Sequence, residues 1–315
     1  MDSAQVYIRG GCLHATVVSG LCGFQQIHVH NHRDELMTFR SHLAILPSRL
    51  RPTIRRLLSI DREYRLRDAL LRFLPVQHHS RWRTVVHATV WKAGSQWIRL
   101  VLSDPLVYRH SGLRVDPFGR SHLEAPRVIK SPLYVDRPTA TAEASPRGVA
   151  FFVARDPRDI LVSFYYSNLY SHDLNPIVSQ RRQRLQALDK EEGLLSTLTY
   201  DYQDIANILH SWSDLYDSPA VYFFERLIAP DYEHWEALFD RIDVRLNREQ
   251  IMQLLERYSF KILSGGRAPG QEDPTHKYRS GKAGSWRDHF TTAVSQEFVA
   301  RYGSLLIGPY AEHPR

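Results

Sequence analysis

The stretch from Thr84 to Leu102, TVVHATVWKAGSQWIRLVL, constrains the fold of this chain more than any other. It begins with an apolar run rich in β-branched residues and ends in a helical pattern, so we predict a buried strand that turns directly into a helix. The first N–H groups of a helix have no partners within it and can bind an anion. Gly94 would let the backbone approach that anion, Ser95 could cap the helix, and Lys92 would add a positive charge.

A capped helix without any ligand explains this stretch alone equally well. The stretch is not the phosphate loop of nucleoside triphosphatases, which reads Gly-x-x-x-x-Gly-Lys-Ser/Thr and places a hydroxyl for magnesium directly after the lysine. Here Lys92 comes first and Trp97 follows. We therefore expect neither ATP nor a metal ion at this loop.

The strand–turn–helix pattern recurs further along the chain. The apolar run Gly148–Ala154 predicts a strand buried on both faces, and Asp156 and Pro157 then predict the N-cap and first position of a helix. Ala220–Phe224 predicts another buried strand. This alternation predicts a three-layer α/β fold, with a central, mostly parallel sheet and helices on both faces. In such sheets ligands bind at the carboxyl ends of the strands. The charged residues predicted at these ends are Lys92, Lys130, Arg155 and Glu225.

The rest of the pattern is less regular. We predict a short strand at Arg127–Lys130 between two loop regions, residues 106–126 and 133–147, which are rich in glycine and proline. A helix is predicted at Arg248–Tyr258, and a flexible loop with several glycines follows it at 264–278.

The 315 residues carry a formal net charge of +7, which favours anionic partners. Two cysteines are too few for a disulfide framework, so a reducing, cytoplasmic location is expected. We expect neither a signal peptide nor a membrane span. His28, His30 and His32 alternate, but with no carboxylate or cysteine obviously placed to complete a site we interpret them as a polar strand edge rather than a zinc site.

Residues 1–82 are predicted to form an N-terminal extension packed on a main domain at 83–315. Within the extension, Ser48–Leu74 interleaves arginines with apolar residues at near-helical spacing, which predicts basic amphipathic helices. A solvated surface explains them most simply, and an anionic membrane is the alternative. These helices favour a second interpretation of the chain as a non-catalytic module that binds anions or membranes, with an affinity that falls steeply with salt.

Four segments together resemble the soluble PAPS-dependent sulfotransferases that act on small molecules, where PAPS is 3′-phosphoadenosine 5′-phosphosulfate. The family's Lys-Ser-Gly-Thr-Thr-Trp motif corresponds to Lys92-Ala93-Gly94-Ser95-Gln96-Trp97. Its arginine, Pro-Arg/Lys-Asp turn and later serine correspond to Arg155, Pro157-Arg158-Asp159 and Ser163. Its Ser-Phe pair corresponds to Ser259-Phe260. Its Arg-Lys-Gly segment with the following Gly-x-Trp and His-Phe corresponds to Arg279-Ser280-Gly281, Gly284-Ser285-Trp286 and His289-Phe290. The resemblance spans about residues 83–292.

The resemblance implies a P-loop-like phosphosulfate-binding loop and transfer of a sulfuryl group from PAPS to a hydroxyl or amine, with release of the diphosphate PAP and without a metal. Trp97 and Phe260 would sandwich the adenine, while Arg155, Ser163 and Arg279 would hold the 3′-phosphate. The full set implied in nucleotide binding is Lys92, Ala93, Gly94, Ser95, Gln96, Trp97, Arg155, Ser163, Phe224, Phe260, Arg279, Ser280 and Gly281. Phe224 stands where many relatives have tyrosine, so one hydrogen bond to the nucleotide is expected to be missing.

One departure from the family concerns the catalytic base. Relatives commonly read Lys-Thr-His where this chain reads Lys130-Ser131-Pro132, and Pro132 cannot accept a proton. We expect Lys92 and Lys130 to be catalytic together with a base from a nearby loop. The candidates for that base are His172, which we prefer, and Asp173, His122 and Asp136. An amine acceptor that needs no strong base, or a weak or inactive relative, are the alternatives.

The acceptor pocket is expected to form from loops at 106–126, 167–200 and 264–278. Their aromatic side chains suggest a small, apolar or ring-bearing acceptor, although the same residues could be core. We expect no nucleic-acid partner and no stable membrane insertion, and we leave a homodimer open.

Overall fold

A computed structural model of the chain describes residues 71, 73–117, 119, 127–229 and 231–311. Most of the predicted N-terminal extension, including His28, His30, His32 and nearly all of the basic helical segment, lies outside the described residues, as does His122. The division into an extension at 1–82 and a main domain at 83–315 therefore stays a prediction.

The described residues contain a five-stranded, fully parallel sheet with the strand order β2-β3-β1-β4-β5. The strands are β1 Thr84–Thr89, β2 Arg114–Pro117, β3 Val128–Leu133, β4 Gly148–Ala154 and β5 Val221–Phe223. The α-helices are α1 Ser95–Leu102, α2 Pro105–Arg109, α3 Arg137–Ala144, α4 Pro157–Tyr166, α5 Pro176–Gln186, α6 Lys190–Tyr200, α7 Gln203–Trp212, α8 Phe224–Ile228, α9 Tyr232–Arg241, α10 Arg248–Arg257, α11 Phe260–Leu263 and α12 Thr292–Tyr302. None of these helices is long and apolar enough to cross a membrane.

Helices cover both faces of the sheet, which confirms the predicted three-layer α/β fold. Alternate residues of β4 point to opposite sides, and Phe151 and Phe152 are both fully buried. Phe152 packs in a cluster with α4, α6, α7 and α12, whereas Phe151 packs in a second cluster with α1, α9 and α10. Burial on both faces explains why the strand reads as a continuous apolar run rather than an alternating one.

The predicted helix after β4 is confirmed in detail. The Asp156 side chain accepts from the N–H of Arg158, and Pro157 occupies the first helical position. Proline suits that position because its missing N–H would have had no helical partner.

The predicted loops at 106–126 and 133–147 were wrong in part, since α2 and β2 lie in the first and α3 in the second. Each helix is capped by an aspartate and has a proline in its first turn: Asp104 caps α2, which begins at Pro105, and Asp136 caps α3, which has Pro138 as its second residue. These helices are short and their prolines occur at the first turn, so composition alone resembled a loop.

The strand predicted at Arg127–Lys130 extends to Leu133, which places Lys130 inside β3 and not at its carboxyl end. Pairing between β3 and β1 shifts register between Val86 and Ala88. Such an irregularity accommodates Pro132, which has no N–H to donate to the neighbouring strand.

Candidate functional site

The loop after β1 packs against the residue that follows β5, and Gly94 shows how closely these two strand ends meet. Gly94 has a φ of 77°, and a Cβ there would lie 2.5 Å from the Phe224 ring. Only glycine combines this left-handed backbone with so close an approach. The first N–H of α1 to bond within the helix is that of Ile98, which donates to the Gly94 carbonyl at 3.0 Å. The N–H groups of Ser95, Gln96 and Trp97 therefore have no partner within the helix and lie at its open start.

Lys92 is held in place on this loop. Its φ of 69° is unusual for a residue with a side chain. Its Nζ donates to Ser167 Oγ at 2.9 Å, and its carbonyl accepts from Arg155 Nη1 at 2.7 Å. Burial, reinforced by the nearby charges of Arg155 and Arg279, lowers the pKa of Lys92 to about 8. The ammonium is thus a positioned group close to titration at neutral pH.

Arg155 follows β4 directly and is a buried cation, with 7% of its surface exposed. Its guanidinium lies 4.5 Å from the centre of the Phe224 ring, and its Nη2 lies 3.7 Å from Asp159 Oδ2. Its buried Nε has no hydrogen-bond partner among the described residues. Burying an arginine with an unused donor is costly, so the arrangement suits an anionic ligand.

Asp159 joins the helix after β4 to the loop near the C-terminus. The carboxylate is fully buried and accepts from the N–H groups of Gly284 at 2.7 Å and Trp286 at 2.9 Å, and from Ser285 Oγ at 3.2 Å. Ser285 Oγ in turn accepts from Arg279 Nη2 at 2.8 Å. Through this carboxylate, two segments that resemble family motifs lie side by side.

Arg279 is the third cation of the site and is as buried as Arg155. Besides Ser285, it donates to His289 Nε2 at 3.2 Å and to the Glu272 carboxylate, and its guanidinium lies 5.2 Å from the centre of the Tyr166 ring. Arg155 lies against Asp159, and Arg279 reaches the same carboxylate through Ser285, so the two arginines are close in space. Arg155 also binds the Lys92 carbonyl, which brings the third cation to the same place.

The aromatic residues assigned to adenine binding lie around the same loop. Trp97 Nε1 donates to the Tyr258 carbonyl at 2.9 Å, and its ring meets Phe224 edge to face at 6.1 Å. Gly281, with a φ of 61°, packs so closely on Phe260 that a Cβ would lie 2.3 Å from the ring. The segments that carry Trp97, Phe260 and Gly281 are therefore neighbours.

Helix α4 organises these contacts along one side. Asp159, Ser163 and Ser167 follow each other at intervals of four residues, so they share a face of α4 and the turn that continues it. Asp159 binds the C-terminal loop, Ser167 binds Lys92, and Tyr166 stacks under Arg279. Ser163, which is half-buried, lies between the first two.

The side chains of two predicted catalytic residues, both within the described part of the chain, make no hydrogen bond or ion pair with Lys92, Arg155 or Arg279, although the His172 N–H donates to the Ser167 carbonyl at 2.8 Å. Lys130 Nζ lies 2.5 Å from Glu143 Oε2, in an ion pair across to α3. His172 is exposed, and its Nδ1 lies 3.2 Å from the Asp173 carbonyl.

Sequence reasoning did not single out Tyr134, Ser167 or Glu272. The Tyr134 hydroxyl lies 3.0 Å from Ser95 Oγ, and its ring stacks on Trp91 with centroids 4.8 Å apart. No local pattern marks such a residue, because its position depends on the pairing of β3 with β1. The described residues contain no cluster of three histidine, cysteine or carboxylate side chains that could hold a metal ion.

Comparison with known proteins identifies the fold and the family. The model of the sulfotransferase domain matches residues 69–308. Mouse sulfotransferase 1B1 is 22% identical over 206 residues, which cover 60% of this chain and 64% of that protein. The chain thus spans slightly under two thirds of that relative.

A solved structure shows the same architecture. The crystal structure of mouse sulfotransferase SULT7A1 complexed with PAP matches with a TM-score of 0.53 and 14% identity, over 73% of this chain and 86% of that one. Retinol dehydratase in complex with androsterone and PAP matches with a TM-score of 0.47 and 15% identity, over 74% and 83% of the two chains. Because the family model covers more than half of the sequence, the chain belongs to the family of proteins with a sulfotransferase domain.

Proposed function

We propose that this protein transfers a sulfuryl group from PAPS to a hydroxyl or amine of a small molecule and releases PAP. The observation that carries the proposal is the convergence of Lys92, Arg155 and Arg279 beside the open start of α1. Three cations held close together, two of them buried, repel one another, and a ligand with two anionic groups would relieve that repulsion. The unused Nε donors of Arg155 and Arg279 fit such a ligand.

Each part of the nucleotide has a matching part of the site. The N–H groups from Gly94 to Trp97 would bind the 5′-phosphosulfate, whereas the Ala93 N–H donates to the Val90 carbonyl at 3.4 Å. Arg155, Ser163 and Arg279, with the backbone of 280–281, would bind the 3′-phosphate, since the planar guanidinium binds phosphate through two hydrogen bonds. Trp97 and Phe260 would stack on adenine, with Phe224 beside them. Mouse SULT7A1, which has the same fold, was crystallised with PAP.

The chemistry asked of the chain is mainly positioning and charge stabilisation. PAPS supplies the sulfuryl group. An acceptor oxygen or nitrogen forms a bond to sulfur as the bond from sulfur to the bridging oxygen breaks, and the acceptor loses its proton to a base. Lys92, held by Ser167 on one side of the loop, would neutralise the charge that develops on the bridging oxygen. No described residue needs to form a covalent intermediate.

Two tyrosine rings bear on the choice of acceptor. Tyr166 is the last residue of α4 and Tyr170 lies in the turn that follows, with ring centroids 6.4 Å apart, and Tyr170 is exposed. These rings favour a small, apolar or ring-bearing acceptor. His172, two residues further along, stays our proposed base, and Lys130 stays a proposed contact of the sulfuryl group. A cytoplasmic location accompanies this proposal.

The test is transfer of label from ³⁵S-PAPS to a panel of phenols, alcohols and amines, with wild type, Lys92→Ala and Arg245→Ala. Arg245 lies between α9 and α10 with 72% of its side chain exposed, so Arg245→Ala is a control for the loss of one surface positive charge. We expect transfer to at least one acceptor, its near-complete loss in Lys92→Ala, and no loss in Arg245→Ala. Undiminished transfer in Lys92→Ala would refute the role of Lys92, and failure of wild type to bind PAPS or PAP would refute the proposal itself.

A further inference from the structure

Glu272 is the carboxylate that contacts Arg279 most directly among the described residues. One of its oxygens accepts from Arg279 Nη1, and the other lies 3.6 Å from His289 Nε2. Asp159, the other carboxylate of the cluster, already accepts three hydrogen bonds from the loop at 284–286. Glu272 therefore provides the counter-charge for the buried guanidinium of Arg279.

The side chain of Glu272 is exposed enough to move away from Arg279 into solvent. It is 32% exposed, whereas the Arg279 side chain is 7% exposed. The backbone on either side of Glu272 is fixed, because Gly270 N–H donates to the Ser280 carbonyl at 2.7 Å and Asp273 N–H donates to the Arg279 carbonyl at 3.0 Å. A rotation of the Glu272 side chain toward solvent would therefore free the guanidinium without movement of the loop.

We propose that Glu272 is an internal counter-ion that occupies Arg279 in the ligand-free protein and competes with the 3′-phosphate of the nucleotide. This inference rests on the proposed function, in which Arg279 binds that phosphate. A carboxylate carries one negative charge and a phosphate monoester close to two at neutral pH, so the phosphate displaces the carboxylate when it binds. When PAP leaves, Glu272 returns to Arg279 and stabilises the empty site.

Two consequences separate this role from a purely supporting one. Loss of the Glu272 charge would tighten the binding of PAP and slow its dissociation, because the competitor is gone. The same change would leave 5′-AMP binding unaltered, since that nucleotide has no 3′-phosphate to compete. A carboxylate that only oriented Arg279 would have the opposite effect, and its loss would weaken PAP binding.

The experiment compares wild type with Glu272→Gln and Asp273→Asn by calorimetric titration with PAP and with 5′-AMP. Asp273→Asn is the matched control, because it removes one negative charge from the same loop, where the Asp273 side chain accepts hydrogen bonds from Thr275 and not from Arg279. We expect Glu272→Gln to bind PAP roughly threefold to fivefold more tightly, as for a partly exposed ion pair. We expect the 5′-AMP affinity of Glu272→Gln, and both affinities of Asp273→Asn, to stay within about twofold of wild type.

A melting curve provides the second measurement. Ligand-free Glu272→Gln should melt below wild type, because a buried guanidinium has lost its counter-charge, and saturation with PAP should remove that difference. Equal or weaker PAP binding by Glu272→Gln would overturn the inference while leaving the proposed function in place. A wild-type protein that binds PAP no better than 5′-AMP would overturn the proposed function, and the inference with it.

Discussion

The lowered pKa of Lys92 predicts an unusual pH dependence for nucleotide binding. An ordinary lysine stays charged up to about pH 10, whereas Lys92 titrates near 8 because it is buried beside two arginines. If PAP binds the charged form, the fraction of competent protein falls from about nine tenths at pH 7 to about one tenth at pH 9. The affinity for PAP should therefore fall about tenfold over these two pH units, with a midpoint near the lowered pKa.

Calorimetric titration with PAP between pH 7 and pH 9 measures this dependence. Lys92→Arg is the matched variant, because a guanidinium stays charged across the range, and its PAP affinity should be nearly flat. The proton count gives a second check, since PAP binding near pH 8 should take up protons from the buffer. A wild-type affinity that is constant from pH 7 to pH 9 would show either that the Lys92 pKa is not lowered or that its charge does not face the nucleotide.

The lowered pKa of Lys92 also determines how its contribution to the free energy of unfolding changes with pH. The pKa of Lys92 is lower in the folded than in the unfolded chain, so the unfolded chain binds more protons between pH 8 and 10.5. The Lys92 contribution to the free energy of unfolding therefore rises with pH across that window, and is lost again as the pH falls through about 8.

Two further predictions concern the groups that hold the cations in place. Asp159→Ala should lower the free energy of unfolding by about 3 kcal/mol in urea denaturation, because three donors lose their buried acceptor. A change below about 0.5 kcal/mol, the usual size for a surface substitution, would contradict the anchoring role of Asp159. Gly94→Ala should cost more stability than Gly265→Ala, since the two residues have nearly the same φ, 77° and 81°, but of the two Gly94 alone has a neighbouring ring in the way of a Cβ. Equal losses in the two variants would show that Phe224 does not pack on the loop.

The parts of the fold that could be predicted are those in which a local pattern reports burial. The runs in β1 and β4 are apolar because both faces of the sheet are covered, and Asp156-Pro157 is a local signal for a helix start. The short helices α2 and α3 were missed because proline was taken as a breaker where it occupies the first turn. Lys130 was misplaced because the extent of β3 depends on its pairing with β1, which no local pattern records.

Some residues of the candidate site could be predicted from the sequence and others could not. Motif positions such as Lys92, Arg155 and Arg279 could be named from sequence, because their spacing resembles a known family. Their partners could not, since Ser167 and Glu272 reach these cations through tertiary packing from other segments. The structure therefore adds the groups that hold each cation in place and balance its charge.

The central claim is that separate segments of the chain bind one nucleotide with two phosphate groups. Calorimetric titration of wild type, Arg155→Ala and Arg279→Ala with PAP at near-physiological salt tests it most directly. We predict saturable binding of one PAP per chain by wild type and a loss of at least tenfold in each variant, as expected when a buried charged hydrogen bond is removed. Binding of PAP that is unchanged in both variants, or that disappears steeply with salt in wild type, would contradict the account.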